Sequence, residues 1–149
     1  MVSLTDLYCL YNRARGTELV SPDDLLHAVR LMDSLQLGEI CTVFKLLFYQ
    51  LTSKNGLCNR VGLKLRTFSS GIMVLQENSL SDEAMCNKLL EFAVQNSDEG
   101  ISPSMVSTKF HLSILVAKEQ LLFAESSEVL CRDDTVNGVF FFHNAFTVY

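Results

Sequence analysis

The sequence predicts a mainly α chain with small β wings, built as two tandem winged-helix domains. Three observations carry that expectation. Helical patterns come first and a hairpin pattern after, twice over. In the second half, three successive helix starts lead to the turn Val136-Asn137-Gly138, and three helices followed by a two-stranded wing is the winged variant of helix-turn-helix. Charge divides at the same place: residues 1–80 hold 8 basic and 7 acidic groups, a net of +1, whereas residues 81–149 hold 4 and 10, a net of −6. The expected domains are 1–78 and 79–149.

In the first half, Thr5 is placed to cap a short helix over Asp6–Ala14, stopped near Gly16. Ser21-Pro22-Asp23-Asp24 supplies a capping hydroxyl, a proline where no amide hydrogen is needed, and acids at the positive end of the dipole. Leu25, Ala28, Val29, Met32 and Leu35 then share one face, with Asp23, His27, Arg30 and Ser34 opposite, and Leu37-Gly38 closes the helix. Val61, Leu63 and Leu65 alternate with Gly62, Lys64 and Arg66 as in a half-buried strand. Ser69-Ser70-Gly71 turns the chain into a more buried strand at Ile72–Leu75.

In the second half, Ser81 caps a helix that begins with Asp82 and Glu83 and buries Met85, Leu89, Phe92 and Ala93. Ser102-Pro103 starts a short helix to about Phe110, and Ser113 a third to about Ser127. Val129–Asp133 and Val139–His143 form the hairpin, with Asn137-Gly138 providing the positive φ angles of a tight turn. Ser113 lies 25 residues before Gly138, whereas Ser21 lies 50 before Gly71. Gly38–Arg60, 23 residues without a counterpart, accounts for the excess and reads as an insertion, with an amphipathic helix expected over Ile40–Leu51. No helix pattern precedes Thr5, so the first domain is expected to lack its first helix and to leave an apolar face open for association.

Composition narrows the function. With 48% apolar and 19% charged residues the chain is folded rather than disordered. A net charge of −5 opposes nucleic-acid binding, whose affinity comes largely from neutralising phosphates. The acidic second half is better suited to a basic protein partner. The five cysteines, Cys9, Cys41, Cys58, Cys86 and Cys131, contain no Cys-x-x-Cys and read as small core hydrophobes of a reduced, cytosolic protein. The N-terminal residues lack a secretory pattern, and the longest apolar run, Ile40–Leu51, is too short to span a bilayer.

Catalytic and metal-binding chemistry finds little support. His27, His111 and His143 are scattered, without a second ligand at helical spacing. Asp133 and Asp134, neighbours on a strand, face opposite ways and do not form a catalytic pair, and Asp23-Asp24 is explained by capping. Neither a phosphate-binding glycine loop nor a nucleophile elbow occurs. No enzyme and no cofactor are expected. The helix Ser113–Ser127, which would enter a DNA groove, has Lys118 as its only basic residue, against Glu119 and Glu125. Val116 and Phe123 lie on one side of it, Leu115 and Leu122 on another, and Ile114, Ala117, Leu121 and Ala124 on a third. Either all three sides serve the domain core and its neighbour, or one of them, such as that of Val116 and Phe123, faces another subunit.

The runs LTDLYCLYNRARGTELVSPDDLL, LKLRTFSSGIMVLQ, AKEQLLFAES and LCRDDTVNGVFFFHNAF resemble the C-terminal region of the family shared by subunits 22 and 36 of ESCRT-II. Arg-Ala-Arg-Gly-Thr-Glu-Leu and Leu-Cys-Arg-Asp-Asp favour its subunit-36 branch. The resemblance covers the chain apart from Gly38–Arg60. It implies tandem winged helices that serve assembly, and a role in sorting ubiquitinated membrane proteins into multivesicular bodies. The implied partners are ESCRT-II subunits 22 and 25, and the implied location is cytoplasmic, peripheral at endosomes through the complex. In that family subunit 25 presents a Pro-Pro-x-aromatic motif to the second winged helix, which falls here on residues 79–149. The expected contacts are Arg132, Asp133 and Asp134 on the wing, with Phe141 and Phe142. The family's N-terminal lipid- and ubiquitin-binding domain has no counterpart here, so neither activity nor direct membrane binding is expected. The alternatives are a nucleic-acid-binding, transcription-linked winged helix, or an inert splice fragment.

Overall fold

The computed structural model describes residues 1–34, 63–77 and 80–147. The expected insertion Gly38–Arg60, its helix Ile40–Leu51, the helix stop at Leu37-Gly38, and Leu35, Val61 and Gly62 lie outside the described residues, as do the side chains of Met32 and Ser34. The chain divides into two compact units, Met1–Ser79 and Leu80–Tyr149.

Unit 1 runs β1 (Val2–Ser3), α1 (Leu4–Arg15), α2 (Pro22–Ser34), β2 (Leu63–Thr67) and β3 (Met73–Glu77). Its antiparallel sheet has the order β1-β3-β2. Helix α1 is capped by Ser3, which corrects the expectation for Thr5. The Ser3 hydroxyl accepts from the Asp6 amide at 3.0 Å and donates to the Asp6 carboxylate at 2.6 Å. The Ser-x-x-Asp spacing thus lets the hydroxyl cap the helix while the acid holds the hydroxyl, and it places Thr5 inside the first turn. Helix α2 repeats it: Ser21 accepts from the Asp24 amide at 3.1 Å and donates to its carboxylate at 2.7 Å. Leu25 and Val29 are buried while Asp23, His27 and Arg30 are exposed, as the helical period requires. The core joins Val2, Leu7, Leu25, Val29 and Leu75, flanked by Leu4, Tyr8, Tyr11, Val20 and Leu65. Leu65 and Leu75 are cross-strand partners, so β2 and β3 are registered by an apolar pair.

Unit 2 runs α3 (Asp82–Gln95), α4 (Pro103–Phe110), α5 (Ile114–Ser126), β4 (Leu130–Thr135) and β5 (Gly138–His143), ending in a 3-10 turn at Ala145–Thr147. Ser81, Ser102 and Ser113 cap the three helices, each accepting from the amide three residues on. Ile101 forms a single antiparallel bridge to Phe141, adding a one-residue strand beside β5. The core is Met85, Cys86, Leu89 and Ala93 of α3, Ile101, Val106 of α4, Val116, Ala117, Leu121 and Ala124 of α5, and Leu130 and Phe141 of the hairpin. Phe92 is only half-buried, meeting Phe110 edge to face at 5.9 Å. Among the described residues both units share a short strand, two helices and a hairpin in that order, with α3 preceding them in unit 2: two winged-helix units. The turn at Val136-Asn137 differs from the expected one, because the positive φ falls on Gly138 alone, at 133°. A β-branched valine resists the positive φ that a type I′ turn demands at its first central position, so the following glycine absorbs the reversal.

Candidate partner-binding surface

The wing of unit 2 is built by a strict register, Leu130↔His143, Cys131↔Phe142, Arg132↔Phe141, Asp133↔Phe140 and Asp134↔Val139. Cross-strand partners share a face and neighbours alternate, so the pleat sorts these residues. Leu130 and Phe141 point into the core, at 2% and 1% exposure. Arg132 lies on that same face but beyond the core, with its Nε 3.4 Å from Oε1 of Glu125 on α5. Asp134 and Val139 continue this face toward the turn. Cys131, Asp133, Phe140 and Phe142 form the outward face. Asp133 and Asp134 are exposed on opposite faces of one strand.

The candidate contacts therefore divide. Asp133 and Asp134 are open to solvent, Arg132 is open and ion-paired, and Phe142 and Phe123 are half-buried. Val116, at 0%, and Phe141 are core residues, so burial removes them from the candidate surface. Phe123 also contributes its carbonyl, which accepts from the hydroxyls of Ser126 at 2.7 Å and Ser127 at 3.0 Å, closing α5. Phe142 is positioned by Gly100: a Cβ there would lie 2.7 Å from the ring Cζ, so only a glycine lets the ring rest on the backbone before Ile101. The segment after β5 is anchored by Asn144. Its amide donates to the Glu128 carbonyl at 2.8 Å, and its carbonyl oxygen accepts from Phe146 N–H at 3.0 Å.

Two surface features escaped the sequence reading. Ile114 and Leu115, at 62% and 48% exposure, stand open on α5, while Glu119 and Gln120 of the same helix are buried. In unit 1, the buried Asn12 clamps the chain after α1, accepting from Val20 N–H at 2.9 Å and donating to the Val20 carbonyl at 3.3 Å. The enclosed residues include Glu18, with φ 55°, ion-paired to Arg15 at 3.6 Å, and an exposed Leu19. Among the described residues no three His, Cys, Asp or Glu side chains gather as a metal site requires, and no helix is long and apolar enough to cross a membrane.

The EAP30/Vps36 family model matches residues 1–60 and 55–134. Vacuolar protein-sorting-associated protein 36 of Danio rerio is 40% identical over 147 residues, covering 98% of this chain and 31% of the relative. The Homo sapiens protein of that name is 38% identical over 150 residues, with 98% and 31% covered. That of Dictyostelium discoideum is 36% identical over 146 residues, with 96% and 20% covered. The chain thus spans less than a third of the length of these relatives. A chain in the solved structure of the ESCRT-II endosomal trafficking complex aligns with a TM-score of 0.66 at 20% identity, over 97% of this chain and 75% of that one. That likeness is one of fold.

Proposed function

This chain belongs to the EAP30/Vps36 family, and from that premise we propose that it is a non-enzymatic assembly subunit of an ESCRT-II complex. Its role is to hold partner subunits while ubiquitinated membrane proteins are sorted into multivesicular bodies, and it reaches endosomes through that complex. The partners are ESCRT-II subunits 22 and 25, with subunit 25 docking on unit 2. The domains act as 1–78 and 79–149, and Gly38–Arg60 is an insertion in the first.

One observation carries the reading: the wing exposes Asp134 on the face of the ion-paired Arg132 and Asp133 on the face of the half-buried Phe142, in a unit of net charge −6. Exposed carboxylates on a stiff hairpin gain little within the chain, yet they steer and register a basic partner. The Phe142 ring, on the Asp133 face, supplies the apolar contact that charge alone lacks.

Calorimetric titration with purified subunit 25 tests this. The expected result is a Kd in the micromolar range or tighter, weakened about tenfold or more by Asp133→Lys with Asp134→Lys. No binding by a chain whose circular dichroism still shows folded helix would reject the assembly role. Salt-dependent binding to duplex DNA in its place would favour the nucleic-acid reading, against which α5 offers only Lys118 as a cation.

A further inference from the structure

We propose that the helix-turn-helix corner of unit 2, from the end of α4 through the first turns of α5, docks an acidic amphipathic helix of a protein partner. The inference begins with where charge is missing. Between Ile101 and Lys118 the sequence holds Lys109, His111 and Lys118 and no Asp or Glu, while all ten acids of residues 81–149 lie outside that stretch. That segment is a cationic stretch within an acidic domain.

Its geometry is fixed. Ser107 donates its hydroxyl to the Leu112 carbonyl at 2.6 Å and accepts, through its own carbonyl, from Leu112 N–H at 3.1 Å. His111 takes the left-handed conformation, φ 53° and ψ 48°, that ends α4, and Ser113 caps α5. Rigidly presented beyond this turn are Ile114 and Leu115, both exposed, and Lys118, exposed one turn later. Spacings of three and four residues bring the lysine beside both apolar side chains on one face. Leu122, half-buried, extends the stripe by another turn. The acids of α5 do not compete for Lys118: Glu119 is buried, and Glu125 faces Arg132.

An apolar, cationic, apolar stripe of two to three turns has the periodicity by which one helix reads another, with anchors at i, i+3, i+4 and i+7. Lys118 then selects for a carboxylate on the facing helix, as a flanking charge selects a partner in a coiled coil. A duplex or an anionic bilayer is a poorer fit. Each lysine contributes only about 1 kcal/mol at a charged membrane surface, against the repulsion of a domain of net −6. The exposed anchors Ile114 and Leu115 are distinct from the acidic wing, because roughly 15 Å of α5 separates them from Glu125, which pairs with Arg132.

The test uses the whole chain and two labelled peptides of about 18 residues, designed with leucines at i, i+3, i+4 and i+7 and either glutamates or lysines at the remaining positions. Fluorescence anisotropy is expected to show the glutamate peptide bound at least about tenfold more tightly than its lysine twin. Lys118→Glu is expected to abolish that preference and Leu115→Ser to weaken binding about tenfold, both with unchanged circular dichroism because the side chains are exposed. Amide shifts in the nuclear magnetic resonance spectrum are expected over residues 111–122. Equal affinity for the two peptides, insensitivity to Lys118→Glu, shifts confined to the wing, or tighter binding of duplex DNA or phosphatidylserine vesicles through these residues would each overturn the proposal.

Discussion

Gly100→Ala perturbs a place where backbone conformation and side-chain packing make the same demand. Gly100 has φ +71°, and a residue with a Cβ pays about 1–2 kcal/mol for that left-handed conformation. The new Cβ would also lie 2.7 Å from Cζ of Phe142 and 2.9 Å from each Cε. Ordinary carbon contact is about 3.5–4.0 Å, so the ring must retreat by roughly 1 Å. Phe142 is half-buried and has room to rotate, at an off-rotamer cost of about 0.5–1.5 kcal/mol. Together these give a destabilisation of roughly 2–3 kcal/mol. Urea denaturation followed by circular dichroism measures it, with Phe142→Leu and the double variant completing a cycle. A smaller, flexible side chain relieves the contact, so the double variant is expected to be about 1 kcal/mol more stable than the sum of the singles predicts. A loss below about 0.5 kcal/mol for Gly100→Ala, or strict additivity in the cycle, would refute the reasoning.

Three further substitutions test the same kind of argument elsewhere. Ser3→Ala is expected to cost about 1 kcal/mol and Thr5→Ala less than about 0.5, by denaturant midpoint, because the cap is Ser3 and Thr5 lies exposed in the first turn. Asn12→Ala removes both hydrogen bonds to Val20, with an expected loss of about 1–3 kcal/mol. Hydrogen exchange at the Val20 amide should accelerate, and unchanged protection there would count against the clamp. Deleting Gly38–Arg60 shortens the connection between Ser34 and Leu63 from 28 residues to 5. The deletion is expected to raise the melting temperature, and a value that stays level or falls would argue that the segment is not an insertion.

What the sequence disclosed follows from how far each signal extends along the chain. The helices α2, α3 and α4 were legible because a Ser start, a Pro or acidic first turn and an apolar period agree over 8 to 14 residues, whereas α5 showed only its Ser start and a long apolar run. The two first strands were not legible: β1 is two residues and Ile101 is a single bridge, too short for any period to show. Ser3 was overlooked because Thr5 also satisfies a cap preference, and only the Ser-x-x-Asp pairing with Asp6 separates the two. On the wing, alternation put Asp133 and Asp134 on opposite faces, as the register has them. A count of aromatic residues could not tell which phenylalanine faces inward. That depends on the parity of the register, which buries Phe141 and turns Phe142 outward over Gly100.

Helix α5 buries Val116, Ala117, Leu121 and Ala124 as a core helix does, but at four other positions its polarity is the reverse of what a DNA-reading helix needs. A helix that reads DNA exposes amides and cations and buries its leucines. Here Glu119 and Gln120 are buried, whereas Ile114 and Leu115 face solvent. Fully burying such an apolar side chain is worth about 1.5–3 kcal/mol, so the free chain forgoes roughly half of that at each exposed position. A partner that covers both recovers it on association. Stability and binding must then respond separately at these positions. Ile114→Ser and Leu115→Ser are expected to move the denaturation midpoint by less than about 0.5 kcal/mol while weakening association, whereas Leu89→Ala in the core costs about 2–5 kcal/mol. Loss of stability at Ile114 or Leu115 comparable to that at Leu89 would mean that both are core side chains, and the case for a covering partner would fall with that result.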